Sequence, residues 1–455
     1  MNIKKIVIPF LSLRVLVLII TAALPLTGPH EWRQFDTVGM TYRYFIEIFQ
    51  STVDKYPFFI PAVMQAGDYI GITAAELPII NFFLSPLFYF GLGYGKFLII
   101  ITLLAINIQL FYKNYKIWKD EDVLGEKIED AFLLLPILSF ALIYFGKFMP
   151  DIFSVQLCLL SLGIAVKENK YLKASLIGSI GLMIKPTSII VYALLFLTRH
   201  WKNLKHYFWI SCSVIVTILY YKVGNQMILD FSKQLSFFAT GPKPMGVAIN
   251  EVISNPGMFF TDFLRNFFGK NLIGFFVAAT IFAKFKHKRK VSFLIPLSLI
   301  ILLQWSFLHL LSGKHPYQHN YYYIGMMPIV CILTYRMIKI SPPLVGKILL
   351  ALIIGLSIQE SIYNLKPLFK PNKKLSWKIS KQCPELIKST PQVPWKTGYH
   401  FRSNHEIFPV LGMCFGEIQN SKKTKYGFFY KNKGIPNDCK ETLAESEDLV
   451  IKACR

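Results

Sequence analysis

Positions 30–37 of the chain read His30-Glu31-Trp32-Arg33-Gln34-Phe35-Asp36-Thr37, directly beyond an apolar run that ends near Leu26. Two carboxylates, a guanidinium and an imidazole at the edge of a membrane helix are costly to hold there, and such groups usually serve recognition or chemistry. Other segments carry groups of the same kind: Glu76 before Leu77-Pro78, Asp151 after Met149-Pro150, Lys185 before Pro186-Thr187, and His315-Pro316-Tyr317 followed by His319. Brought together, these residues suit group transfer. One carboxylate, Glu31 or Asp36, would act as general base on an acceptor hydroxyl or amine, and a second acid, Asp151, would orient the acceptor. Arg33, Lys185 and His315 would neutralise a leaving phosphate. His30, Gln34, Glu76, Tyr317 and His319 would line the substrate.

The elements that must position them are membrane helices. The chain has 455 residues, 53% of them hydrophobic and 17% charged, with a mean hydropathy of +0.42. Its apolar residues fall in long runs rather than amphipathic stripes, which excludes an ordinary soluble domain, and no alternating short strands point to a β-barrel. The sequence therefore predicts an all-α polytopic membrane protein with about eleven transmembrane helices of ~20 residues each. The first, Ile6–Leu26, follows Lys4 and Lys5 and lacks a small-x-small cleavage site, so it reads as an uncleaved signal anchor.

Charge sets the expected sidedness. The formal net charge is +24, yet the basic residues collect in short loops: Lys113/Lys116/Lys119, Lys167/Lys170/Lys173, Arg199/Lys202/Lys205, Lys284 to Lys290, and Arg336/Lys339. That is the positive-inside pattern of a membrane protein rather than the patch of a nucleic-acid binder. It places the N-terminus in the cytoplasm and all the candidate site residues on the outer side. The apolar segment Leu77–Leu92, interrupted by Pro78, Pro86 and Gly91, fits this parity only as an interfacial or re-entrant helix.

The predicted organisation is a transmembrane domain over 1–364, with a large first outer loop at 27–94 containing interfacial helices and a second at 224–270. An extracytoplasmic domain follows over 365–455. Cys383, Cys414, Cys439 and Cys454 all lie in that tail, where two disulfides are expected, whereas Cys158, Cys212 and Cys331 lie in spans. No Cys/His spacing indicates zinc, no other divalent metal is indicated, and no Gly-rich phosphate cradle is present. Plainer readings exist for several residues. Lys185 and Lys314 could snorkel to headgroups, Tyr321, Tyr322 and Tyr323 could form an aromatic belt, and Arg33 could pair with Asp36 across a helical turn.

At these residues the chain resembles the GT-C glycosyltransferases, specifically bacterial relatives of the protein O-mannosyltransferases and the lipid A aminoarabinose transferases (glycosyltransferase family 39-like). The resemblance rests on the 30–37 stretch, Glu76-Leu77-Pro78-Ile79-Ile80-Asn81, Met149-Pro150-Asp151, Ile184-Lys185-Pro186, and His315-Pro316-Tyr317 leading to Pro328. It covers roughly residues 1–340 and not the tail. It implies an inverting transfer of a sugar from a polyprenyl-phosphate carrier, at the outer face of a bacterial inner membrane, to a lipid, glycan or protein acceptor. It also implies a base in the first outer loop and a second acid in the next outer turn. The second is Asp151. For the first, many relatives begin the loop with an Asp-Glu pair where this chain has His30-Glu31, so the base is Glu31 or Asp36. The Arg-Gln-x-Asp-Thr setting favours Asp36. A polytopic transporter or flippase, and a non-catalytic assembly protein working through its tail, are the competing classes.

Overall fold

The computed structural model describes residues 3–23, 31–45, 77–137, 149–232, 245–259, 261, 293–312 and 320–365, and in the tail 381–382, 386, 401–402, 426–432 and 434–454. Up to residue 365 the described chain is helical apart from one short hairpin. In chain order the helices are α1 (Ile3–Ala22), α2 (Glu31–Tyr44), α3 (Ile79–Leu84), α4 (Leu92–Trp118), α5 (Asp151–Gly163), α6 (Tyr171–Ile184), α7 (Leu204–Ser232), α8 (Met245–Ser254), α9 (Leu294–Ser312), α10 (Met327–Ile340) and α11 (Pro343–Leu365). Among the described residues, four stretches are long and apolar enough to cross a membrane: Ile3–Ala22, Leu92–Trp118, Leu204–Gly224 and Tyr322–Ile340. The outer faces of these helices stay apolar. Leu13, Leu16 and Ile20 on α1, and Phe208, Ile218 and Leu219 on α7, are exposed, as a lipid solvent allows. Charge turns inward instead: Arg14 is buried and donates to the Ser357 carbonyl of α11.

Two runs that the hydropathy pattern predicts as α-helix are wound more tightly. Pro186–Leu197 and Asn320–Met326 are 3-10 helices. The 3-10 rise of ~2 Å per residue lets the short run 186–197 reach about a third farther than an α-helix of the same length would. The expected span Ala131–Gly146 begins with a 3-10 turn over Ala131–Leu134, and residues 138–148 lie outside the described part. So does the expected span Asn271–Ala283.

The helices that carry Asp151 and Lys185 pack very closely. A Cβ on Gly181 of α6 would sit 2.9 Å from Cys158 Sγ and 3.2 Å from the Ser154 carbonyl oxygen, so glycine there lets α5 and α6 approach. Amide side chains fasten α5 to α4. Gln156 Nε2 donates to Asn107 Oδ1 at 2.9 Å, Asn114 Nδ2 donates to the Gln156 carbonyl at 3.0 Å, and Trp118 Nε1 donates to the Leu159 carbonyl at 3.1 Å. Between α3 and α4 the chain runs through a 3-10 turn, Ser85–Phe90, and then reverses at Gly91, whose φ of +83° only glycine adopts without strain.

At the end of the bundle away from Asp151, an acidic hairpin collects basic loops. Strands β1 (Asp122–Val123) and β2 (Glu126–Lys127) pair antiparallel around Leu124-Gly125, both at positive φ. Glu121 is fully buried, with Lys167 Nζ at 2.7 Å, His200 Nε2 at 3.4 Å and Arg199 Nε at 3.8 Å. Arg336 donates to the Val123 and Glu126 carbonyls, and Glu129 pairs with Lys339.

The tail is different in kind. Its described strands β3 (Phe401–Arg402), β4 (Tyr426–Tyr430), β5 (Cys439–Glu445) and β6 (Leu449–Cys454) form one sheet in the order β3-β4-β6-β5, antiparallel except for β3 against β4. Cys439 is disulfide-bonded and its Cα pairs with that of Cys454 across β5 and β6. Cys383 and Cys414 lie outside the described residues. Cys158, Cys212 and Cys331 are free thiols.

Candidate active site

Asp151 and Lys185 come together from different helix ends. Asp151 follows Pro150 and opens α5, where an acid also meets the positive end of the helix dipole. Lys185 stands where α6 stops. The proline at 186 pushes it out of helical geometry, to φ −150° and ψ 99°. Its Nζ lies 3.4 Å from Asp151 Oδ1, with the two side chains 9% and 2% exposed. Lys185 therefore does not snorkel to the surface. Tyr322 covers the pair, its ring centroid 4.9 Å from Lys185 Nζ. Beside it Tyr323 is fully buried and shares a hydrogen bond of 2.8 Å with His309 Nε2 of α9. Tyr323 thus faces the interior, not the lipid, and the aromatic-belt reading fails for it, while Tyr322 is half-buried.

Helices α2 and α3 are tied to the segment that carries this pair through backbone and amide contacts. Asn81 of α3 donates to the Thr37 carbonyl and to Thr41 Oγ1 of α2, each at 3.0 Å. At the start of the same segment, the Leu77 N–H donates to the Met183 carbonyl at 3.0 Å, and Tyr221 Oη donates to that carbonyl at 2.7 Å. A continuous path therefore runs from the carbonyl of Thr37, the residue after Asp36, through Asn81 and Leu77, to the helix end that carries Lys185. Leu77 of the Glu76-Leu77-Pro78 motif thus meets α6.

Of the remaining candidates, Glu31, Arg33 and Asp36 lie on α2, and only their helix backbone is described. Gln34, on the same helix, is buried. His30, Glu76, His315, Tyr317 and His319 lie outside the described residues. Among the described residues no cluster of three His, Cys, Asp or Glu side chains could hold a metal ion.

Residue types alone did not single out His309, Ser154 or Ser188. Ser154 Oγ donates to the Gly181 carbonyl at 2.6 Å and lies 2.7 Å from Ser188 Oγ. A sequence signal did exist, since Ser154 and Ser188 each follow a candidate residue by three positions.

No protein-family model matches the chain, and no curated protein sequence matches it. Among solved structures, the crystal structure of ArnT from Cupriavidus metallidurans in the apo state is similar, with a TM-score of 0.54 at 10% identity. The fold is GT-C-like. The match covers 100% of this chain and 98% of ArnT. Together with the apolar helices it makes the chain a multi-pass membrane protein.

Proposed function

We propose that this protein is an inverting membrane glycosyltransferase, moving a sugar from a polyprenyl-phosphate carrier to a lipid, glycan or protein acceptor at the outer face of a bacterial inner membrane. The observation that carries this reading is the buried Asp151–Lys185 pair at one end of a GT-C-like bundle. An acid and a cation held 3.4 Å apart in a low-dielectric edge suit a reaction that takes a proton from one partner and builds negative charge on another. Asp36 or Glu31 acts as base on the acceptor, and Asp151 orients it. Arg33, Lys185 and His315 meet the leaving phosphate. His30, Gln34, Glu76, Tyr317 and His319 complete the substrate walls. ArnT is an aminoarabinose transferase, which supports group transfer without specifying this chain's donor. The carbohydrate is attacked from the face opposite its phosphate, so the new bond forms as the phosphate leaves with the old bonding pair.

A carrier reading has less support. An alternating-access protein must open at both ends, whereas Glu121 and Arg336 fasten several helix connections together at the end away from Asp151.

The deciding experiment is native mass spectrometry of the purified protein for a bound polyprenyl-phosphate sugar, followed by transfer assays with Asp36→Asn and Asp151→Asn. Each variant is expected to insert normally and to lose transfer. Full activity in both would remove these residues from the mechanism, and solute counterflow in proteoliposomes would favour a carrier.

A further inference from the structure

We propose that Ser154 and Ser188 are positioning residues that hold Asp151 and Lys185 in register. This rests on the reading of that pair as site residues. Asp151 and Lys185 each begin an element that runs inward from the same end of the bundle, one as α5 and the other as the 3-10 helix Pro186–Leu197. Three residues on, each element presents a serine. The steps inward are about 4.5 Å along an α-helix and about 6 Å along a 3-10 helix, so the serines fall at matching depth beneath the ion pair.

Their hydroxyls form a continuous cluster. Ser154 Oγ lies 2.6 Å from the Gly181 carbonyl oxygen and 2.7 Å from Ser188 Oγ. The Gly181 carbonyl also accepts the Lys185 N–H at 3.0 Å, and the Lys185 carbonyl accepts the Ser188 N–H at 3.0 Å. Ser154 Oγ lies 3.4 Å from that Lys185 carbonyl as well. The lysine backbone is thus held on both sides by groups fastened to the helix that carries the acid. Both serines are buried, 0% and 2% exposed, where alanine would fill nearly the same volume without a polar atom. Hydroxyl bonds between membrane helices add little net stability, so the setting of Lys185 is the larger effect expected of them.

Ser161 supplies a matched control. It is also a buried serine of α5 whose hydroxyl crosses to α6, donating to the Ala174 carbonyl at 2.7 Å, but it lies far along the helix from Asp151. The test compares Ser154→Ala, Ser188→Ala, Ser188→Thr and Ser161→Ala in the full chain, reconstituted in nanodiscs. One arm measures amine labelling of Lys185 by mass spectrometry, and the other measures transfer from a polyprenyl-phosphate sugar. Ser154→Ala and Ser188→Ala are expected to expose Lys185 to several-fold faster labelling. They are also expected to lower kcat by about tenfold or more, with KM changed by less than about twofold, because small misplacements of reacting groups act on the chemical step. Ser188→Thr restores both readouts and Ser161→Ala changes neither. Labelling and kcat in Ser154→Ala and Ser188→Ala that match those of Ser161→Ala would overturn the proposal. If the wild-type protein transfers no sugar, the labelling arm still decides the geometry, and the failure falls on the function.

Discussion

Lys185 shows how two adjacent residue types create one buried charged position. A lysine before a proline cannot continue the helix, so α6 ends with a cation facing inward rather than one more polar residue on a helix surface. Its burial against Asp151 makes the pair expensive to break. Lys185→Gln is expected to destabilise the protein by about 3–5 kcal/mol, because it takes the cation away from a buried acid. The double variant Asp151→Asn/Lys185→Gln should recover much of that loss in a thermal-unfolding assay while still failing to transfer sugar. A double variant no more stable than either single one would show that the two charges are not coupled. The residue types of Asp151 and Lys185 were readable as site candidates in the amino-acid string. Their contact was not, because it joins the start of one helix to the end of another.

Between elements, amides and charges do what apolar packing cannot do in lipid. Helix α2, which carries Glu31, Arg33 and Asp36, is held to α3 by Asn81 through two hydrogen bonds. Asn81→Leu leaves the Thr37 carbonyl without this donor, and should cost about 1–3 kcal/mol and reduce transfer, since the segment bearing the candidate base loses its anchor. Unchanged activity and melting temperature in Asn81→Leu would separate α2 from the site. At the opposite end, the Lys339 ammonium and then the Tyr335 hydroxyl hold the Glu129 carboxyl below its ordinary value of 4.5. A depressed acid contributes stability that is present above its unfolded value and is lost as the pH falls through the folded one. The melting temperature of the wild-type protein should therefore exceed that of Glu129→Gln modestly at neutral pH, and the difference should shrink as the pH falls below the ordinary carboxyl value of 4.5. A gap that does not shrink on acidification would contradict this origin.

At the scale of the whole molecule the two ends gather different groups. One gathers Asp151, Lys185, Tyr322 and the anchors of α2, and the other gathers basic loops around Glu121. Glu121→Gln is accordingly expected to lower thermal stability by about 3–5 kcal/mol while leaving kcat within about threefold at temperatures where the protein is folded. Loss of kcat without loss of stability would join the two ends functionally. The amino-acid sequence by itself determined the helical membrane class, through the length of its apolar runs, and the residue types available for chemistry, because burying a charge in lipid is too costly to be incidental. Even the spacing of Ser154 after Asp151 and Ser188 after Lys185 was present in the string. Only the tertiary structure decided that Tyr323 is interior, that 186–197 winds as a 3-10 helix, that Glu121 is buried among cations, and that tail segments close into a sheet. Each of these depends on which distant segment lies alongside. Hydropathy and residue type report a residue's preference for lipid or water, but close packing and paired polar groups are properties of two segments at once.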